Sequence, residues 1–147
     1  MRFDIENQLS VAQAFTGAAA VSTNSYKKQT AAQDISIGRR MALLVLPVVA
    51  ADDAASVATM EVIQADDADL TVNVEVLATV TATAAQLALG EQVELPIPQG
   101  VMTRQYLGFR HAATGGVANT VTLDVYLMPQ DEIAQYKSFP KVNDAEV

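Results

Sequence analysis

A chain of 147 residues suits one domain and is long enough to bury a core without a metal or disulfide staple. It has no cysteine, which leaves neither disulfides nor a thiolate metal site and fits assembly in a reducing cytoplasm. The net charge is −8, with basic clusters limited to the pairs Lys27-Lys28 and Arg39-Arg40, so the phosphate-neutralising surface of a nucleic-acid binder is excluded.

The opening residues Met1-Arg2-Phe3-Asp4-Ile5-Glu6 are mixed in charge and lack an apolar core, so no secretory signal is expected there. Residues 1–20 hold little apolar content and read as an N-terminal arm. Within them, 11–20 is alanine-rich and helix-competent, although Gly17 and the following Val21-Ser22-Thr23-Asn24-Ser25 weaken a helix. The apolar run 41–51 is about half the ~20 residues of a membrane-spanning helix, and Pro47 interrupts it. A soluble chain with no membrane partner is expected.

Further along, period-two alternation marks half-buried strands. Thr59-Met60-Glu61-Val62 is a short example. Thr71-Val72-Asn73-Val74-Glu75-Val76 would set Val72, Val74 and Val76 on an inner face. Val121-Thr122-Leu123-Asp124-Val125-Tyr126-Leu127 would do the same with Val121, Leu123, Val125 and Leu127. Asp52-Asp53 and Asp66-Asp67-Ala68-Asp69 are turn residues between apolar runs. Residues 82–89 suit a short helical turn. Pro96-Ile97-Pro98-Gln99-Gly100 must leave a central ladder, because each proline lacks a donor. Thr114-Gly115-Gly116 separates 106–111 from 119–128, which predicts a hairpin or a longer antiparallel connection. After Pro129 the chain turns polar and reads as a C-terminal tail.

Strand-sized segments recurring every ten to fifteen residues predict an all-β fold: a single small antiparallel β-sandwich or jelly roll of about eight strands. Its core would be 21–128, flanked by extended arms at 1–20 and 129–147.

The residues that tempt a catalytic reading do not assemble one. His111, the sole histidine, stands at the end of a predicted strand with no motif to orient it toward a nucleophile. The Asp pairs and triplet lack the spacing of a calcium loop and read as solvated turns. Gly115-Gly116 is not followed by the Lys and Ser/Thr of a phosphate loop, and no G-x-S-x-G elbow occurs. Aromatic residues make up 5%, too few for a stacking platform. Neither enzyme activity, nor a cofactor, nor a metal site is expected.

Several pieces taken in order carry a resemblance. They are Val21-Ser22-Thr23-Asn24, Asp34-Ile35-Ser36-Ile37-Gly38, Ala65-Asp66-Asp67-Ala68, Leu95-Pro96-Ile97-Pro98-Gln99-Gly100 and Arg104-Gln105-Tyr106-Leu107-Gly108, leading through Gly115-Gly116 to Asn119-Thr120-Val121-Thr122. Together they resemble the capsid cement, or head decoration, proteins of tailed bacteriophages, small jelly rolls that clamp the outside of the icosahedral shell. The tail from Pro129 looks longer and more polar than that pattern.

The resemblance implies a structural virion protein on the outer capsid surface, made in the host bacterial cytoplasm. It would bind the phage major capsid protein and cement neighbouring subunits against the pressure of packaged DNA. It also implies self-association, a dimer in preference to a trimer. Phe3, Phe15, Tyr26, Tyr136 and Phe139 near the termini, with the pair Arg39 and Arg40, are the candidate interface residues, since aromatic and Arg anchors dominate interface energy. The alternative is a carbohydrate- or receptor-binding β-sandwich of the fibre or adhesin type, which would need an aromatic cluster or a calcium site.

Overall fold

The computed structural model describes residues 7–16, 19–50, 57–114 and 120–138. They form β1 (Gln8–Phe15), β2 (Ala20–Val21), β3 (Tyr26–Lys27), β4 (Met41–Val49), β5 (Val57–Ala65), β6 (Glu75–Thr83), β7 (Val93–Pro96), β8 (Tyr106–Thr114), β9 (Val121–Pro129) and the helix α1 (Gln130–Ser138). A short 3-10 turn at Ala85–Leu87 matches the helical turn expected in 82–89.

Two antiparallel sheets result, ordered β1-β9-β4-β7 and β2-β8-β5-β6, with β3 also on β8. The pairings are nested. β1 pairs β9, β2 and β3 pair β8, β4 pairs β7, and β5 pairs β6. Such a chain is one long hairpin folded over on itself, and the β4–β9 and β5–β8 ladders seal the fold. Because β2 and β3 occupy successive stretches of one edge, there are eight strand positions, the strand order of a jelly roll.

The core lies between the sheets. Val121, Leu123, Val125 and Leu127 of β9 are buried, as their alternation requires. They meet Leu43 and Val45 of β4 and Ala58, Met60 and Val62 of β5. The strand β4 is apolar on both faces because both are covered. Its opposite face, Ala42 and Leu44, packs with Met128 and with Ile133 of α1. The apolar run expected in 41–51 is thus strand over Met41–Val49, buried on both faces across Ala42–Val45, and Pro47 does not break it. Pro47 lies past the β7 ladder, which ends at Val45, so β4 is paired there on one side only.

Four expectations change. First, the N-terminal segment is no arm over Gln8–Phe15. It is strand β1, antiparallel to β9, with Leu9 and Phe15 fully buried. Tertiary pairing overrides the helix propensity of its alanines. Second, the tail begins with α1 and covers a sheet face, so it is not separable there from the core.

Third, Val72 and Val76 are exposed and Val74 is half-buried. Residues 71–74 are loop, because the Asp67 carboxylate accepts the backbone N–H groups of Thr71 and Val72, both at 2.8 Å, leaving them unavailable to a ladder. Asn73 and Leu70 also have positive φ, incompatible with a strand. Fourth, β8 and β9 belong to different sheets and form no hairpin. The turn pair Asp52-Asp53 lies outside the described residues, whereas Asp66-Asp67-Ala68-Asp69 is the turn expected.

Candidate interaction surface

The anchors expected at an interface separate into distinct environments. Phe3 and Phe139 lie outside the described residues, and so does the side chain of Tyr136, whose backbone belongs to α1. Phe15 is no surface anchor. Its ring is fully buried, edge-on to Phe109 with centroids 5.5 Å apart. β1 turns Leu9 and Phe15 inward beside β9, which buries this ring with the core. Tyr26 is half-buried and packs on the same core from β3.

Arg39 is exposed but engaged. Its Nε and Nη2 donate to the two Asp131 oxygens at 3.1 and 2.9 Å, and Nη2 also reaches Glu132 at 3.1 Å. That fork joins the loop before β4 to the first turn of α1, where acidic residues already favour the helix dipole. The Arg39 guanidinium holds the Asp131 carboxyl below its usual range. The Gln130 N–H donates to the Arg40 carbonyl at 2.8 Å, so both arginines tie α1 down. The side chain of Arg40 is exposed.

The loop between β3 and β4 is stiffened from within. Lys28 is buried and its Nζ donates to the Ala31 carbonyl at 2.9 Å. Burial lowers its pKa, with nearby Asp34 acting in the opposite direction. The Asp34 carboxylate accepts the N–H and hydroxyl of Ser36 at 2.9 and 2.7 Å and also the N–H of Gly100. Gln99 Nε2 donates to the Ser36 carbonyl at 2.7 Å. The product is a rigid tip that carries Ile37 with 71% of its surface exposed, followed by Gly38 at positive φ. A large apolar residue held out by a hydrogen-bonded loop is a contact feature that the residue pattern alone did not disclose.

A second polar lattice closes one end of the other sheet. Buried Gln64 accepts the N–H groups of Thr103 and Arg104 at 2.9 and 3.2 Å and donates to Glu75 at 2.8 Å. Arg104 binds Asp66 through Nη1 and Glu75 through Nη2. Asn73 and then Arg104 hold Asp66 below the usual carboxylate range, and Arg104 and then Gln64 do the same for Glu75. The lattice folds loop 66–74 back so that Leu70 lands on Ile63 and Ala65, on the outer side of β5.

His111 is mid-strand, not at a strand end, and fully buried. No group of three or more His, Asp or Glu side chains among the described residues is placed to hold a metal ion. No helix among them is long and apolar enough to cross a membrane. The geometry supplies a stiff two-sheet body with a projecting apolar tip, a helix-covered face on one sheet and an open edge on the other.

Compared with known proteins, no curated protein matches the chain. Among protein families, residues 9–127 match Bbp16, a span from the second residue of β1 to the third-last of β9. The match takes in nearly the whole jelly roll and most of the chain, and the chain belongs to the Bbp16 family.

Proposed function

We propose that this protein is a structural component of a phage virion that binds the outside of the capsid and cements neighbouring major-capsid subunits against internal DNA pressure. The observation that carries the reading is the jelly-roll strand order, β1-β9-β4-β7 over β2-β8-β5-β6. It is the architecture that the motif series in 21–122 implies through its resemblance to head decoration proteins. A body of this kind resists deformation, because most of its contacts join strands distant in sequence and each sheet is sealed by nested ladders. The stiffened tip at Ile37 offers an apolar anchor beside the exposed Arg40.

Cementing requires that one subunit touch more than one capsid protein, so the binding site exists only once neighbours stand at the right spacing. Apparent affinity then comes from simultaneous engagement rather than from any single strong contact. The test is co-sedimentation of the full chain with intact mature shells and, separately, with unassembled capsid protein. Saturable binding to shells with weak binding to free subunits is the expected result. Failure to associate with shells at any ratio would overturn the reading.

A further inference from the structure

The loop 66–74 between β5 and β6 has the parts of a flap. One guanidinium from another loop clamps its two ends together: Arg104 donates through Nη1 to Asp66 at 2.9 Å and through Nη2 to Glu75, the first residue of β6. Between the ends the segment is bonded to itself. The Asp67 carboxylate accepts the N–H groups of Thr71 and Val72 and the Thr71 hydroxyl. The Leu70 N–H donates to the Asp67 carbonyl, and the Asp66 N–H donates to the Val72 carbonyl. Asn73 Nδ2 reaches back to Asp66 at 2.7 Å, and Ser25 Oγ fastens the middle through the Ala68 carbonyl at 2.9 Å.

What the flap covers is small and separate from the main core. Leu70 is buried over Ile63 and Ala65 on the outer side of the sheet, bordered by Val21, Val74 and Tyr106, and none of these side chains belongs to the core between the sheets. Gly108 makes room for it, since a Cβ there would overlap the Leu70 methyls. The closed form also carries strain. Leu70 and Asn73 have φ of 58° and 51°, a left-handed conformation that L side chains adopt at a cost. A small apolar cluster, strained at two positions and latched by partly exposed ion pairs, is the composition of a segment that opens more readily than the whole domain unfolds.

We propose that loop 66–74 opens as one flap while both sheets stay folded, with Arg104 as its latch and Leu70 as the plug of a socket on β5 and β8 that fits one branched aliphatic side chain. Opening withdraws Leu70, bares Ile63, Ala65 and Gly108, and relieves the strain at Leu70 and Asn73. It leaves the β5–β6 and β5–β8 ladders whole, because no residue of 66–74 belongs to either. Salt screens the partly exposed Arg104 pairs and so favours the open form. The device belongs to the fold and stands apart from the capsid reading.

Amide hydrogen exchange of the full chain, followed residue by residue by NMR, tests it. The N–H groups of Asp66, Leu70, Thr71 and Val72 should share one level of protection, well below that of the β4–β9 ladder, and high salt should lower it without affecting the ladder. Arg104→Gln removes both ion pairs and should speed exchange at all four by about tenfold. Unchanged ladder amides in that variant show that the fold persists.

The chain has no cysteine, so Leu70→Cys with Gly108→Cys supplies a lock. A sulfur at the place of Leu70 Cγ stands 3.1 Å from the Cβ at 108, close to the ~3 Å that disulfide geometry sets. Oxidation should slow exchange at all four amides and abolish the salt effect, and reduction should restore both. An apolar fluorescent dye should brighten with Arg104→Gln and dim again when the lock is closed in that background. Exchange of the four amides only at the ladder's rate overturns the proposal, because the loop then opens only with global unfolding. Four unrelated rates, or a closed lock that leaves them fast, overturn the single flap. Unchanged rates in Arg104→Gln overturn the latch, and a dye that ignores both variants overturns the socket.

Discussion

The His111 imidazole lies against the Phe15 ring, centroids 5.3 Å apart and planes tilted by 34°, and neither ring nitrogen meets a hydrogen-bond partner among the described residues. Burial lowers its pKa below the ordinary 6.5, because a charged ring in the core has lost its water. The unfolded chain therefore takes up a proton in a pH range where the folded one does not. Stability is complete above pH 6.5 and falls as the pH drops from there through the lowered folded value. His111→Leu removes the titration and the two unmet polar atoms. It should raise stability by about 1 kcal/mol at neutral pH and flatten the dependence just below pH 6.5. Urea unfolding at several pH values checks both effects, and an unchanged slope in the variant would show that another group is responsible.

The carboxylates act in a lower window. Asp66, Glu75 and Asp131 all have lowered pKa values through hydrogen bonds and arginine partners. Their contribution is present above the ordinary carboxylate range and is lost as the pH falls below it. A second loss of stability in acid is thus expected in His111→Leu as well as in the unsubstituted chain. Arg104→Ala should shrink that second step, read from the same unfolding series.

Gly108 is required by its neighbour. A Cβ built there would overlap the Leu70 side chain, which the folded-back loop holds on β8. Gly108→Ala should cost about 1–3 kcal/mol, as overpacking does. Leu70→Ala removes the obstructing methyls, so the double variant should lose less than the two single losses added. A double-mutant cycle by thermal unfolding measures that coupling, and strict additivity would contradict the contact.

The C-terminal segment divides at α1. Ile133 is fully buried with Ala42, Leu44 and Met128, so Ile133→Ala should cost about 2–5 kcal/mol. Deleting 130–147 uncovers that sheet face and should lower the melting temperature and promote aggregation. Deleting 139–147 leaves Ile133 and the Arg39 fork in place, and the melting temperature should stay near that of the full chain. Differential scanning calorimetry of the two truncations separates these outcomes.

Val125 sits at the centre of β9, opposite Val45 of β4 and Ser10 of β1, and is fully buried. Val125→Asp would bury an unpaired carboxylate between the sheets. The cost of several kcal/mol is a large part of the ~5–15 kcal/mol that stabilises a typical domain. Loss of the cooperative unfolding transition is the expected result, followed by circular dichroism.

Where one face of a strand meets the core and the other meets solvent, the residue pattern alone determines its state. Residues 121–127 are such a case, because alternation and burial share the same period of two. The absence of disulfides, the net charge, the all-β class and the turn at 66–69 were equally legible, each following from residue types or local pattern. Tertiary structure decided the rest, because the deciding partner was distant in sequence. The first half of the helix-competent segment 11–20 became strand through β9, more than a hundred residues away, which also took Phe15 off the surface. Val72, Val74 and Val76 alternate like a strand, yet Asp67 takes the N–H groups of Thr71 and Val72 that a ladder would need. The tip at Ile37 and the open edge at β6 were invisible for the same reason. Exposure is a property of what the rest of the chain leaves uncovered, and no local pattern records it.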